Sequence, residues 1–360
     1  RDDLEADAMN AAGYFLETPA RPLVLRDLTV AEPGPGEALV AVAACGLCHT
    51  DLGFADGSVA PRHPLPLVLG HEITGTVAAA GAGFADLVGR PVLVPAVLPC
   101  GECAFCRAGR GNACPRQKMP GNDIHGGFSS HLLVPAAPLV PLDGAPAGFP
   151  LDELSVVADA VSTAYQATAR AGLAAGDLAV VVGAGGVGGF LVQIARALGA
   201  RVVACDVRAE ALEAARAFGA ERTIDAGGRD PKDVRRQVRD VAREWEVPSL
   251  RLRVFETSGT AAGQALAFGL LDRAATLVLV GYTPEEVPVR LSNLMAVDAT
   301  VHGTWGCPPE AYPAVLDLIF RGAVALTPVV DHAPMSEVNR LLDDMANHRL
   351  GRRMILHPEG

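Results

Sequence analysis

No run of about 18 uncharged apolar residues occurs in the 360-residue chain, so none of its segments has the length that a membrane-spanning helix needs. Basic charge is also short: 30 Lys and Arg stand against 41 Asp and Glu, for a formal net charge of −11, and they are spread along the chain. A nucleic-acid surface needs clustered cations against phosphate, which argues against that partner. A local basic pocket for a phosphorylated small molecule is compatible with an acidic surface. There is no internal repeat and no low-complexity linker. The opening run RDDLEADAMN is acidic where a secretory signal would be basic and then apolar. The expectation is a cytoplasmic, soluble protein with no membrane partner. Its eight cysteines then sit in a reducing compartment, where metal binding accounts for them better than disulfides do.

Four of those cysteines, Cys100, Cys103, Cys106 and Cys114, follow the spacing Cys-x2-Cys-x2-Cys-x7-Cys. Such a loop, about residues 99–115, can wrap four thiolates tetrahedrally around one zinc ion. Disulfides are the alternative, and the short spacings favour metal. Upstream, Cys48 with His49 and then Gly70-His71-Glu72 supply donors of mixed type. A closed set of four thiolates reads as a structural site, and a mixed set as a catalytic one.

At 360 residues the chain is long enough for two domains. The first 150 residues alternate short apolar runs with Gly and Pro, for example Pro33-Gly34-Pro35-Gly36, and read as strands and loops. From about residue 153 the pattern becomes helical (154–171), then strand (LAVVVG), helix (188–198) and strand (RVVACD), the start of a parallel sheet. The alternation continues with a helix at 209–218, an amphipathic surface helix at 231–246, and strands at 253–255 and 276–282. Further helices are expected at 311–320 and 337–347.

The run Gly183-Ala184-Gly185-Gly186-Val187-Gly188 follows a strand and opens a helix, which is the context a dinucleotide fingerprint requires. Its glycines let backbone approach a pyrophosphate, and the helix N-terminus offers free N–H groups. Asp206 ends the next strand, 18 residues after Gly188, where a carboxylate can accept from ribose hydroxyls and repel a 2′-phosphate, favouring NAD. Arg208 could partly accept a phosphate, which leaves NADP open.

The stretch Cys45-Gly46-Leu47-Cys48-His49-Thr50-Asp51, with Gly70-His71-Glu72 and the four-cysteine lobe ahead of the glycine-rich unit, resembles the zinc-containing medium-chain alcohol dehydrogenases over nearly the whole chain. The resemblance implies an α/β protein: a mostly β, GroES-like catalytic domain (1–160 and 300–360) and a doubly wound Rossmann coenzyme domain (161–299). It implies NAD, two Zn²⁺ per chain, and a homodimer or homotetramer, with TVHGTW (300–305) resembling the segment that pairs across a dimer. It also makes Cys48 and His71 ligands of the catalytic zinc, Thr50 the partner of the substrate hydroxyl, and His49 a neighbour of the cofactor pyrophosphate. Asp51 and Glu72 stand behind the ligands or exchange with them, and Cys45 is a bystander. The family's third ligand lies six residues before a Tyr, which here is Asp159 before Tyr165. One thiolate, one carboxylate and one neutral imidazole carry −2, enough to neutralise Zn²⁺. The chain departs from many relatives at Gly53, where they carry a histidine at the outer end of a proton relay; water or another side chain such as His63 would complete that path.

Three further runs, PAVLPCGECAFCRAGRGNAC, KMPGNDIHGGF and RLSNLMAVDATVHGTWGCPPEAYP, resemble the 6-hydroxycyclohex-1-ene-1-carbonyl-CoA dehydrogenases of anaerobic benzoyl-CoA degradation. That resemblance implies a CoA thioester substrate and NAD-dependent oxidation of its ring alcohol to the 6-oxo compound. The residues themselves mark no CoA pocket.

Overall fold

A computed structural model describes residues 9–359. The acidic opening run therefore lies, up to residue 8, outside the described residues. Within the described part no helix is long and apolar enough to cross a membrane.

The chain divides into two compact units. The first takes the described residues up to Asp159, with Gly306–Leu316 and those from Leu326 onward. Its main sheet has seven strands: Val330–Pro334, Arg353–His357, Glu37–Gly46, Glu72–Ala80, Pro91–Val94 and Val140–Pro141 in that order, with His131–Pro135 also paired to Glu37–Gly46. Strand Glu37–Gly46 buries seven of its ten residues, including Ala38, Leu39, Val40, Val42 and Cys45, so it runs through the core as a near-continuous apolar stretch. A smaller sheet, Val24–Val30, Met9–Leu16 and Leu67–Val68, completes the unit. This is the mostly β architecture expected for the first 150 residues.

The second unit takes Ala160–Trp305 and Asp317–Ala325. Six parallel strands lie in the order Arg222–Asp225, Arg201–Asp206, Leu178–Val182, Leu252–Glu256, Thr276–Leu279 and Thr300–Gly303. That order reverses direction between Leu178–Val182 and Leu252–Glu256, the switch point at which doubly wound sheets bind dinucleotides. All five residues of Leu178–Val182 are buried, as a central parallel strand demands. Residues 300–305 belong to this unit, because Thr300–Gly303 pairs with Thr276–Leu279. The unit boundary therefore falls after Trp305, later than a division at 299.

One expected helix is broken. The stretch 154–171 folds as a 3-10 helix, Glu153–Ala158, and an α-helix, Ala160–Ala171, with Asp159 between them at φ −133° and ψ −67°. The cause lies outside the segment: the Ala158 carbonyl accepts from the Ala96 N–H at 3.2 Å and from the Tyr312 hydroxyl at 2.6 Å.

Candidate metal centres and dinucleotide site

Cys48 is the extended residue before helix His49–Asp56, and its N–H donates to Asp51 Oδ2 at 3.0 Å. The other Asp51 oxygen accepts from the Gly70 N–H at 3.0 Å and stands 3.3 Å from His71 Nδ1. Asp51 is completely buried, so it fixes helix, loop and imidazole together. With Nδ1–H turned to Asp51, His71 presents the lone pair of Nε2. That nitrogen is buried without a hydrogen-bond partner among the described residues, and it faces Asp159 Oδ2 at 3.5 Å. Cys48 Sγ lies 3.8 Å from the same Asp159 oxygen and 3.8 Å from Thr50 Oγ1.

Two acceptors facing each other in a buried space repel unless a cation lies between them. Burial pushes the His71 imidazole toward neutrality, but Asp51 and then Asp159 outweigh it and hold its pKa well above the ordinary range. The spot favours positive charge, and thiolate, imidazole and carboxylate donors within 4.8 Å of one another fit a zinc ion.

Glu72 shares that cluster, with one carboxylate oxygen within 4.8 Å of the other three donors. One carboxylate oxygen accepts from the Arg353 guanidinium, itself buried, and Oε2 has no hydrogen-bond partner among the described residues. Burial raises the Glu72 pKa, and Arg353 opposes that rise. A Cβ at Gly46 would stand 2.1 Å from Glu72 Oε2, so only glycine leaves the carboxylate its room. Arg353 offsets the Glu72 charge, so the carboxylate behind the donors does not add to their −2. Arg353 escaped sequence reasoning: it lies 281 residues from Glu72, in a run (GRRM) with no motif character. Asp51 carried a legible signal, since a carboxylate three residues after a helix-opening residue forms a capping box.

His49 is exposed at the start of its helix and Thr50 is half-buried. Cys45 is fully buried in the core, where burial pushes its thiol well up. Beside Gly53 stands a hydroxyl: a Cβ there would meet Ser58 Oγ at 3.5 Å, and Ser58 donates to the Gly53 carbonyl at 3.3 Å. His63 instead contacts the His125 ring at 5.0 Å and the Pro64 carbonyl at 2.6 Å.

In the cysteine lobe the sulfurs of Cys100, Cys103, Cys106 and Cys114 all lie within 4.8 Å of one another, with Cys100 and Cys103 each 3.4–3.9 Å from Cys106 and Cys114. Disulfide bonding needs about 2.05 Å, whereas four sulfurs about 2.3 Å from one zinc ion stand roughly 3.8 Å apart. The lobe therefore fits a metal. The Glu102 N–H draws the Cys100 thiol down to about 6, while burial pushes Cys106 up to about 12.

In the second unit Gly183 adopts φ +92°, and a Cβ there would lie 2.5 Å from the Ser258 nitrogen. A Cβ at Gly188 would lie 1.9 Å from the Gly183 carbonyl oxygen, which excludes any side chain. Gly185, Gly186 and Val187 are half-buried at the mouth of helix Gly186–Ala197, whose first N–H groups can face an anion. Asp206 ties this loop down: Oδ2 accepts from the Ala184 N–H at 2.7 Å and Oδ1 from the Arg208 N–H at 2.9 Å. Each oxygen keeps a second lone pair for a hydroxyl donor. The Arg208 guanidinium lies 3.8 Å from Asp206 and is largely exposed.

Residues 34–144 match the alcohol dehydrogenase GroES-like domain, and 186–321 match the zinc-binding dehydrogenase domain. An alcohol dehydrogenase of Geobacillus stearothermophilus is 31% identical over 327 residues, covering 89% of this chain and 91% of that protein. The L-threonine 3-dehydrogenase of Thermococcus kodakarensis is 32% identical over 325 residues, covering 87% of this chain and 88% of that protein. The chain belongs to the zinc-type alcohol dehydrogenases. Among solved structures, acetophenone reductase from Geotrichum candidum in complex with NAD superposes with a TM-score of 0.84 at 26% identity, covering 97% of each chain. In this dehydrogenase the β-rich unit carries both candidate metal centres, and the parallel sheet carries the glycine loop.

Proposed function

We propose that this dehydrogenase oxidises a secondary ring alcohol with NAD, the substrate being a CoA thioester of the 6-hydroxycyclohex-1-ene-1-carbonyl type. The observation that carries the chemistry is the buried, unpartnered Nε2 of His71, aligned by Asp51 and converging with Cys48 and Asp159. In this reading Cys48, His71 and Asp159 hold the catalytic zinc, with Glu72 available for exchange, and Cys100, Cys103, Cys106 and Cys114 hold a structural one. When bound, zinc supplies Lewis acidity at the alcohol oxygen and NAD accepts the carbinol hydride.

The chain's own residues do the rest. Thr50 Oγ1 stands beside Cys48, where it would accept the proton leaving the substrate hydroxyl while passing its own hydrogen on toward water. Asp51 keeps His71 in the tautomer that offers Nε2. The Ser58 hydroxyl beside Gly53 is placed to pass a proton to water, the role a histidine at 53 has in relatives. Asp206 favours ribose hydroxyls over a 2′-phosphate. The CoA thioester rests on the three runs that resemble the ring-alcohol dehydrogenases, and assembly as a homo-oligomer rests on TVHGTW.

The test is NAD reduction across a panel of secondary alcohols, with the thioester and its free acid side by side. The thioester should have the higher kcat/KM, because a remote handle supplies binding energy that is used in the transition state. Equal values for thioester and acid would remove the CoA substrate and leave the alcohol dehydrogenase. Absence of turnover with every alcohol would remove the oxidation itself.

A further inference from the structure

Two imidazoles meet on the surface of the first unit, away from the residues used above. Strands Val330–Pro334 and Arg353–His357 run parallel, with His332 opposite Ile355 and Pro334 opposite His357. Side chains two residues apart share a face of a strand, so both rings project from the same side of the sheet. His332 Nδ1 and His357 Nε2 stand 2.9 Å apart. Asp152 Oδ2, from the turn before the 3-10 helix, lies 3.8 Å from each of those two nitrogens.

The outer nitrogens decide what the inner ones carry. His357 Nδ1 lies 3.2 Å from the Ala43 carbonyl, which can only accept, so the hydrogen sits on Nδ1 and the lone pair on Nε2. His332 Nε2 faces Glu153 Oε1 at 3.9 Å, and that carboxylate is held by the Thr327 hydroxyl at 2.9 and 3.2 Å. That contact is too long for a hydrogen bond, but the negative charge of Glu153 still favours a hydrogen on Nε2 and so a lone pair on His332 Nδ1. The two nitrogens and the carboxylate oxygen lie within 4.8 Å of one another, and the rings, whose centroids are 5.1 Å apart, must tilt toward Asp152 to turn both lone pairs onto a common point. A point equidistant from the three atoms lies about 2.1 Å from each, within the roughly 2.0–2.2 Å of zinc–nitrogen and zinc–oxygen bonds.

We propose that Asp152, His332 and His357 form a third metal site, which takes a first-row divalent cation such as Zn²⁺ through two imidazole nitrogens and one carboxylate oxygen. The three side chains are partly exposed, so the ion enters from solvent and completes its coordination with water. Zinc, nickel and copper suit imidazole-rich donors better than calcium or magnesium do. The site fastens the turn at Asp152 to the two C-terminal strands. That turn opens the 3-10 helix Glu153–Ala158.

The experiment counts metal on the chain as purified, then titrates Zn²⁺ into it. Wild type should take up one further equivalent. His357→Ala and His332→Ala should lose it, and Asp152→Asn should weaken it at least about tenfold. In all three variants the metal held at the outset and the dehydrogenase activity should be unchanged. Cu²⁺ added at one equivalent gives a second readout, because its electron paramagnetic resonance spectrum should show coupling to two nitrogens in wild type and to one in either histidine variant. No added uptake by wild type would mean that the two rings share a proton, and would overturn the site. Uptake retained in both histidine variants, or a Cu²⁺ spectrum that they leave unaltered, would overturn it as well.

Discussion

The cysteine lobe and the Cys48 centre lie in the same unit and are assembled in opposite ways. Four sulfurs of the lobe come from one stretch, 100–114, whose turns bring them within 4.8 Å of one another. At the other centre Cys48 and Asp159 are 111 residues apart, and each donor is placed by another residue. Asp51 sets His71, while Ala96 and Tyr312 hold the carbonyl preceding Asp159. Geometry in the lobe is a property of a loop, whereas at the open centre it is a property of the whole unit. Loss of a donor should therefore appear as lost folding in the first and lost chemistry in the second.

The sharpest break of this contrast is a pair of serine substitutions. Cys48→Ser should leave a folded chain that still binds NAD but loses activity by about 10²–10⁴-fold, the several kcal/mol a Lewis-acid metal supplies. Cys103→Ser should instead lower the thermal midpoint and the soluble yield, since a structural zinc site contributes folding energy directly. Circular dichroism, calorimetry and turnover measured on both variants decide the matter, and identical behaviour would abolish the distinction.

Next in size is the ion pair behind the open centre. Arg353→Leu leaves the buried Glu72 charge without its partner and should cost roughly 3–5 kcal/mol in urea unfolding. The double variant with Glu72→Gln should recover part of that loss. A single variant as stable as wild type would show that the pair does not hold the unit together.

A smaller effect is expected from Asp51→Asn, which removes the acceptor that orients His71. Zinc affinity at the open centre should fall by about 10–100-fold while the lobe keeps its metal, a separation that chelator competition can read. Equal loss from both centres would point to general unfolding.

Smallest is the change at the glycine loop. Asp206→Gly should narrow the preference for NAD over NADP, read as the ratio of the two kcat/KM values. It should also loosen the loop, because the Ala184 N–H loses its acceptor. Wild-type turnover that is equal with both cofactors would remove the role given to Asp206.

What the sequence made legible follows the same division between local and distant. The cysteine spacing, the glycine loop and the helix Ala209–Phe218 are written in adjacent residues, so periodicity and motif reach them. The helix over 154–171 was readable as apolar helix but not as a broken one. Its break depends on Ala96 and Tyr312, which no pattern within that segment names. Arg353 was invisible for the same reason: only the fold brings a C-terminal strand to Glu72. No motif joins Asp152, His332 and His357, and it is strand register that brings the two rings together.

The diverted carbonyl of Ala158 has a consequence in terms of hydrogen exchange. Its partner is the Ala96 amide, so the protection of that single amide reports whether the chain at Asp159 is bent or has closed into a continuous helix. Exchange at Ala96 thus follows the seating of a candidate ligand without any substrate, and Tyr312→Phe, which removes the hydroxyl bond to that carbonyl, should speed it.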